Sequence, residues 1–296
     1  MRIIKVILAL VFLIIMALMP LKVSQYLGRM LGKFMYRSKK SRAYRVSKAN
    51  IGLSFAHWDE EAREALLADS LKHTGMSYAE MGMSWLWPTS MSLSKVVSVT
   101  GEDILDDAVA QGKGVIIIAP HIGNWEVLNL YASQKYAITV LYKQPKLKFF
   151  DWLINKMRKR LGGDMAPANA KGVRQLMKKL RRKGVIAILP DQEPTEGSGE
   201  FSPFFGRPAY TMTLLSQLAA KTKCSVISGV AIRKAHGKGF DIEFKALHQA
   251  LDNTDLITSI GCMNNNIELI AKQNPEQYQW EYKRFKQSPP DLPDLY

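Results

Sequence analysis

The chain has 296 residues, 47% of them hydrophobic and 23% charged, a composition that excludes a disordered or fibrous chain and suffices for one large α/β domain. With 41 Lys and Arg against 26 Asp and Glu, its formal net charge of +15 calls for an anionic partner: nucleic acid, anionic lipid or an acidic protein. The two cysteines, Cys224 and Cys262, form neither a disulfide framework nor a metal-ligand set, so each is expected to pack as a small hydrophobe in a reducing compartment.

From Val6 to Leu21 no side chain is charged or strongly polar, and Ile3 and Ile4 extend the apolar run past Lys5. A helix over this run covers about 24–28 Å, just short of a bilayer core, and reads as a short spanning helix or a deeply embedded interfacial one. No small-x-small site follows, which argues against a cleaved signal peptide. Nine basic and no acidic residues lie between Lys22 and Lys48, interleaved with Leu27, Met30, Leu31, Phe34, Met35 and Tyr36. This charge bias predicts that the bulk of the protein is on the cytoplasmic side of a membrane, with a basic amphipathic segment on anionic membrane lipid. A nucleic-acid arm does not fit behind an anchor, so no nucleic acid is expected. The organisation predicted is a membrane-anchor helix over 1–22, a basic amphipathic juxtamembrane segment over 23–58 and one catalytic domain over 59–290.

Apolar residues at helical spacing predict one or two helices between Asp59 and Met83. A strand over Lys95–Thr100 and a helix to Gln111 follow. Gly114-Val-Ile-Ile-Ile-Ala-Pro120 is a short, wholly apolar, β-branched run bounded by Gly and Pro, the pattern of a buried strand, and Gly184-Val-Ile-Ala-Ile-Leu-Pro190 repeats it. Further strands are predicted over Ala137–Tyr142, Ser225–Ile232 and Phe240–Phe244. Helices are predicted over Phe149–Leu161, Val173–Arg182, Thr213–Thr222 and Asp255–Lys272. The alternation gives the fold class: α/β, an αβα sandwich around a largely parallel mixed sheet, with the anchor helix at its N-terminus.

In such sheets function collects at the carboxyl ends of strands. His121-Ile-Gly-Asn-Trp-Glu126 lies directly behind the strongest predicted strand. Asn124 is a good N-cap for a helix starting at Trp125, and Gly123 lets the loop fold back so that Glu126 can reach His121. A carboxylate on one imidazole nitrogen fixes the tautomer and makes the other nitrogen a general base. The alternative is that His121 only caps the strand and Glu126 only balances the helix dipole. His57, His73, His236 and His248 lack metal-ligand spacing and read as structural or solvated, so no metal is expected.

The His-x4-Glu element resembles the His-x4-acid signature of glycerolipid and lysophospholipid acyltransferases. More narrowly, the chain resembles the lipid A biosynthesis acyltransferases, the lauroyl and myristoyl enzymes of Gram-negative bacteria. The resemblance rests on ordered blocks along nearly the whole chain: Arg45–Ile51, His121–Glu126, Leu189-Pro-Asp-Gln-Glu193, Ser202-Pro-Phe-Phe-Gly206, and Pro275-Glu-Gln-Tyr-Gln-Trp280 ahead of Lys283-Arg-Phe-Lys286. It implies an acyl donor on acyl carrier protein, a phosphorylated glycolipid acceptor bearing free hydroxyacyl chains, a bacterial inner-membrane location and no cofactor. His121 would take the hydroxyl proton and Glu126 would hold His121. Asp191 and Gln192 would orient the acceptor or support the catalytic loop, unless they only form a turn. A basic cluster at Arg158 and Arg160 would meet phosphate or developing charge, with Arg160 favoured. Lys143 and Lys146 read as phosphate contacts or as solvated lysines; Phe204, Phe205 and Gly206 as an acyl channel or ordinary core. The chain departs from the family at Tyr142-Lys-Gln-Pro145 and at Glu281, where a neutral or basic residue is usual. Acylation of another membrane lipid, or thioester hydrolysis, are the alternatives.

Overall fold

A computed structural model of the chain describes residues 2–145, 147–247, 251 and 255–296, so Lys146 and His248 lie outside the described residues. Four helices open the chain: α1 (Arg2–Leu18), α2 (Leu21–Arg37), α3 (Arg42–Ser54) and α4 (Glu60–Leu86), with the short α5 (Thr89–Leu93) behind them. Alternation then begins with β1 (Val96–Thr100), α6 (Glu102–Ala110), β2 (Val115–Ile118), α7 (Trp125–Tyr136), β3 (Thr139–Tyr142), α8 (Lys148–Arg158), β4 (Asp164–Pro167), α9 (Ala170–Arg181) and β5 (Val185–Ile188). A hairpin of β6 (Gly199–Phe204) and β7 (Arg207–Met212) interrupts it. The chain continues through α10 (Leu214–Thr222), β8 (Ser225–Arg233), β9 (Phe240–Ala246) and α11 (Leu256–Gln273).

Among the described residues seven strands form one sheet in the order β1-β9-β8-β2-β5-β3-β4, parallel throughout except for the β8–β9 pair. The two apolar runs read from the sequence are its central neighbours, β2 and β5, every residue of which is buried. Alternation splits their side chains between two cores. Ile116, Ile118, Ile186 and Ile188 pack with Leu176 and Leu180 of α9, Leu215 of α10 and Ile267 of α11. Val115, Ile117, Val185 and Ala187 face the other way, onto Leu105 of α6 and Val127 and Leu128 of α7. The expected αβα sandwich around a largely parallel mixed sheet is therefore present.

The expected anchor is not. Among the described residues no helix is long and apolar enough to cross a membrane. This corrects the N-terminal membrane-anchor helix over 1–22 and removes the basis for a transmembrane helix, an inner-membrane location and a cytoplasmic orientation. The reason is visible in the packing. α1 stops after 17 residues, about 25 Å, where Pro20 redirects the chain. Its Leu13 and Met16 are buried, its Leu13 and Ala17 backbone presses on Gly82 of α4, and the Trp87 indole donates to the Ala17 carbonyl at 2.5 Å.

Helix α2 lies still closer to α4, and glycines make that approach possible. A Cβ added at Gly75 would stand 2.1 Å from the Gly28 carbonyl oxygen, and one at Gly32 would stand 2.2 Å from that of Leu71. Both neighbours are backbone and cannot swing aside.

Beneath this contact sits an ion pair that ties the helical segment to the sheet. Arg233, the last residue of β8, donates to both oxygens of Glu80 on α4 (2.5 and 2.6 Å), and both side chains are fully buried. Gln25 of α2 (2.7 Å) and Asn124 (3.0 Å) also donate to Glu80, while Arg233 reaches the Gly123 carbonyl (3.3 Å) and Nδ1 of His73 (2.9 Å). His73 is pushed down to about 3, by burial first and by the Arg233 charge second. It is thus a neutral acceptor for the guanidinium.

Two outcomes follow for stability. Gly75→Ala should cost about 1–3 kcal/mol in denaturant unfolding. Gly52→Ala on α3, where an added Cβ meets nothing within 4 Å, should gain about 0.4–1 kcal/mol; a neutral Gly75→Ala would contradict the close approach. Because the unfolded state binds a proton at His73 that the folded state refuses, this contribution is complete above 6.5 and is lost as the pH falls toward about 3. His73→Gln, which keeps an acceptor for Arg233, should flatten that limb of the unfolding profile.

Candidate active site

Strands β2 and β5 run parallel in register, with Ile118 opposite Ile188. Three residues beyond each partner stand His121 and Asp191, so the ladder itself delivers a histidine and a carboxylate to the same point at the carboxyl edge of the sheet. Asp191 takes both donors that His121 offers it. Oδ2 accepts the His121 backbone N–H and Oδ1 contacts Nδ1, each at 2.8 Å. Burial opposes ionisation of Asp191, but the contacts with His121 outweigh it and hold the carboxyl below its usual range. With Nδ1 carrying the proton toward Asp191, Nε2 presents a lone pair, and the Gln192 amide donates to it at 3.3 Å. The ring stands edge-on against Trp125, 5.1 Å between centroids.

The loop behind β2 is fixed from two sides. β8 extends beyond the end of β2, and its Ala231 carbonyl accepts the Asn124 N–H at 2.8 Å. From the other side the 275–279 segment accepts the Gly123 N–H through Gln277 (3.1 Å) and donates the Gln279 N–H to the His121 carbonyl (3.0 Å). Gly123 has a φ of 60°, and a Cβ there would meet the Ala231 oxygen at 2.1 Å. Only glycine satisfies both demands. Asn124 caps α7 as expected, accepting the Val127 N–H at 3.0 Å.

Glu126 lies buried in the first turn of α7, facing the same cavity as His121. Its oxygens are engaged by Arg158 at the end of α8, with Nε at 3.0 Å and a second contact through the terminal nitrogen. The carboxylate that hydrogen-bonds the His121 ring is thus Asp191, and the one that holds a cation is Glu126. Burial works against the Arg158 charge, but Glu126 more than offsets it and raises its affinity for the proton. Behind Gln192 a second polar chain continues. Gln192 donates to Gln279 (3.1 Å), Gln279 to Glu281 (3.3 Å), and Thr74 to Glu281 (3.0 Å). Burial raises the Glu281 carboxyl.

His121, Glu126, Arg158 and Gln192 open onto a cavity of about 1000 Å³. It begins under α7, where Ile117, Ala119, Ala132, Val140 and Ala187 line it, passes His121 and Arg158 at the strand ends, and reaches Val173 of α9 and Leu214 of α10 across the sheet edge. Small residues create the room: alanines at 119, 132 and 187 face one another where larger apolar side chains would close the space.

Of the remaining expected site residues, Lys143 is exposed at the cavity wall and Gln192 lines it. Arg160 does not line it: its guanidinium donates to the carbonyls of Trp87 (2.6 Å) and Ser84 (2.7 Å), fastening the end of α8 to α4. Arg158 is the arginine that faces inward. Phe204 and Phe205 also stand outside, in an aromatic core with Phe55, Trp280 and Phe285. The sequence reading missed Glu80, Arg233 and Gln277, which hold the loop. It also missed the alanines that shape the cavity.

The family described as bacterial lipid A biosynthesis acyltransferase matches residues 1–287. The chain is similar to the lipid A biosynthesis lauroyltransferase of Escherichia coli (strain K12), 28% identical over 280 residues covering 94% of this chain and 90% of the relative. The palmitoleoyltransferase of the same organism is 27% identical over 282 residues, with 94% and 90% covered, and its myristoyltransferase 26% identical over 278, with 93% and 84% covered. The chain belongs to the bacterial lipid A biosynthesis acyltransferase family, and it is an acyltransferase.

Proposed function

We propose that the protein transfers a fatty acyl chain from an acyl carrier protein thioester to a hydroxyl of a phosphorylated, hydroxyacylated glucosamine lipid, a late step of lipid A acylation. The observation that carries this reading is an imidazole whose Nδ1 is tied to a buried carboxylate and which, with Gln192 at its Nε2, lines a cavity that has an apolar wall. The cavity volume is at the upper end of small-molecule sites, about 300–1000 Å³. Its apolar wall beneath α7 suits an alkyl chain, and Lys143 at the wall suits an anionic headgroup.

In this mechanism the acceptor hydroxyl displaces the Gln192 amide from Nε2 and gives its proton to His121. The oxygen then attacks the thioester carbonyl, the carbon–sulfur bond breaks, and the departing thiolate takes the proton back from the imidazolium. Asp191 keeps Nδ1 protonated and stabilises the imidazolium between these steps. Arg158, held by Glu126, supplies positive charge where the carbonyl oxygen becomes negative. Glu126 acts in this scheme through Arg158, and Asn124 through the helix it caps and its bond to Glu80.

The test is purified protein with carrier-protein thioesters and a hydroxyacylated glucosamine lipid, read by mass spectrometry of the lipid. Absence of an acylated product, or release of free fatty acid at a rate indifferent to acceptor, would sink the proposal. His121→Ala should lower kcat by roughly 10²–10⁴, and Asp191→Asn by a similar factor with KM little changed, because the ring loses its orientation rather than its substrate. Ala132→Leu should narrow the cavity under α7, reducing kcat/KM for longer acyl chains more than for shorter ones.

A further inference from the structure

Helix α9 is basic along its outer side, and among the described residues no acidic group pairs with that charge. Lys171, Arg174, Lys178, Arg181 and Arg182 recur at intervals that place them on neighbouring turns, and all five are exposed. The helix contains no Asp or Glu, and among the described residues none of the five has an ion-pair partner. Asp164, which precedes the helix, is already held by Lys159 and Gln175. The opposite side of α9 is apolar and seated in the core through Leu176 and Leu180. A stripe of like charge repels itself, so the folded chain alone gains nothing from it.

Its position gives it meaning. Asn169, Ala170 and Val173, at the start of α9, line the cavity, and Lys143 and Gln144 line it from the loop after β3. The stripe therefore starts at the cavity rim and runs outward for about 16 Å. Other basic segments are less suited. The lysines and arginines of α2 line no part of the cavity. On α8, Lys156 rests on the Trp152 ring, and Lys159, just past its end, is paired with Asp164.

We infer that the exposed face of α9 is the docking surface for an acidic carrier protein, which presents its thioester-bound acyl chain to the rim beside Val173. The inference rests on the donor reading above and adds the place of contact. Complementary charge of this kind speeds encounter and fixes orientation while leaving the chemical step untouched.

The experiment compares wild type with the full chain carrying Arg174→Glu, Lys178→Glu and Arg181→Glu, and with the matching triple Gln variant. Each is assayed with one acyl chain on acyl carrier protein and with the same chain on coenzyme A, a thioester arm without the acidic protein surface. With the Glu variant, KM for the carrier-protein donor should rise at least about tenfold at unchanged kcat, while KM for the coenzyme A donor stays within about twofold. The Gln variant should show a smaller rise, again confined to the carrier donor, and the salt dependence seen with wild type should be lost. Unchanged carrier kinetics, or equal losses with both donors in both variants, would overturn the inference. Intact donor kinetics together with lost binding to vesicles containing anionic phospholipid would reassign the stripe to a lipid surface. A wild type that uses coenzyme A but not carrier-protein thioesters would instead overturn the donor reading itself.

Discussion

Two parallel strands paired without a slip decide where the chemistry can occur. Because Ile118 stands opposite Ile188, residues three further on arrive side by side, and the chain places His121 just past the end of one strand and Asp191 just past the end of the other. A single-residue shift in that pairing would separate them and turn the alternating side chains of one strand toward the wrong core. The apolar content of β2 and β5 therefore does more than bury area. Val115 and Ile117 on one face, with Ile116 and Ile118 on the other, lock the register from both sides. The placement of the two side chains is thus inherited from two fully buried strands.

The loop that carries His121 needs a second constraint, since a strand end alone would leave it free to swing. The buried Glu80–Arg233 pair provides it. Breaking a buried pair by removing one partner typically costs about 3–5 kcal/mol, because the other charge is left without a partner in a poor solvent. Here that cost would fall on a group that also holds Asn124 and the Gly123 carbonyl. Helix α4, far from the site in sequence, is in this way part of its foundation. The glycine-mediated contact with α2 brings Gln25 within reach of the same carboxylate.

Much of this was legible in the sequence. The strands at Val115–Ile118 and Val185–Ile188 were readable because a β-branched run bounded by glycine and proline has few other uses, and the His121 loop followed from its place behind the first of them. β4 was not readable: Asp164-Met-Ala-Pro167 is short, begins with a charge and ends with proline. The β6–β7 hairpin was hidden by prolines at 203 and 208, which face each other in a two-stranded ribbon that tolerates them. The apolar N-terminus was read as an anchor from its hydropathy, but it forms a helix of only 17 residues before Pro20, with Leu13 and Met16 buried against the protein and Ile7, Leu8, Val11, Ile14 and Leu18 exposed. Arg158 and Arg160 could not be separated from the sequence either. Two residues apart at a helix end, one turns toward Glu126 and the other toward the carbonyls of Ser84 and Trp87.

The polarity of the amide chain behind the imidazole bears on how transfer proceeds. Glu281 accepts from Gln279, so the Gln279 amide presents its oxygen to Gln192, and Gln192 in turn presents its nitrogen to Nε2. A lysine at 281 would donate, reversing both amides and facing the Nε2 lone pair with an oxygen. Glu281 thus sets the polarity with which Gln192 meets Nε2. Among the described residues, no serine, threonine or cysteine of the protein hydrogen-bonds that nitrogen. An enzyme with its own nucleophile would place the hydroxyl or thiol there, as the base must touch the group it activates. With an amide as occupant, the proton removed in the proposed reaction would come from the bound acceptor itself.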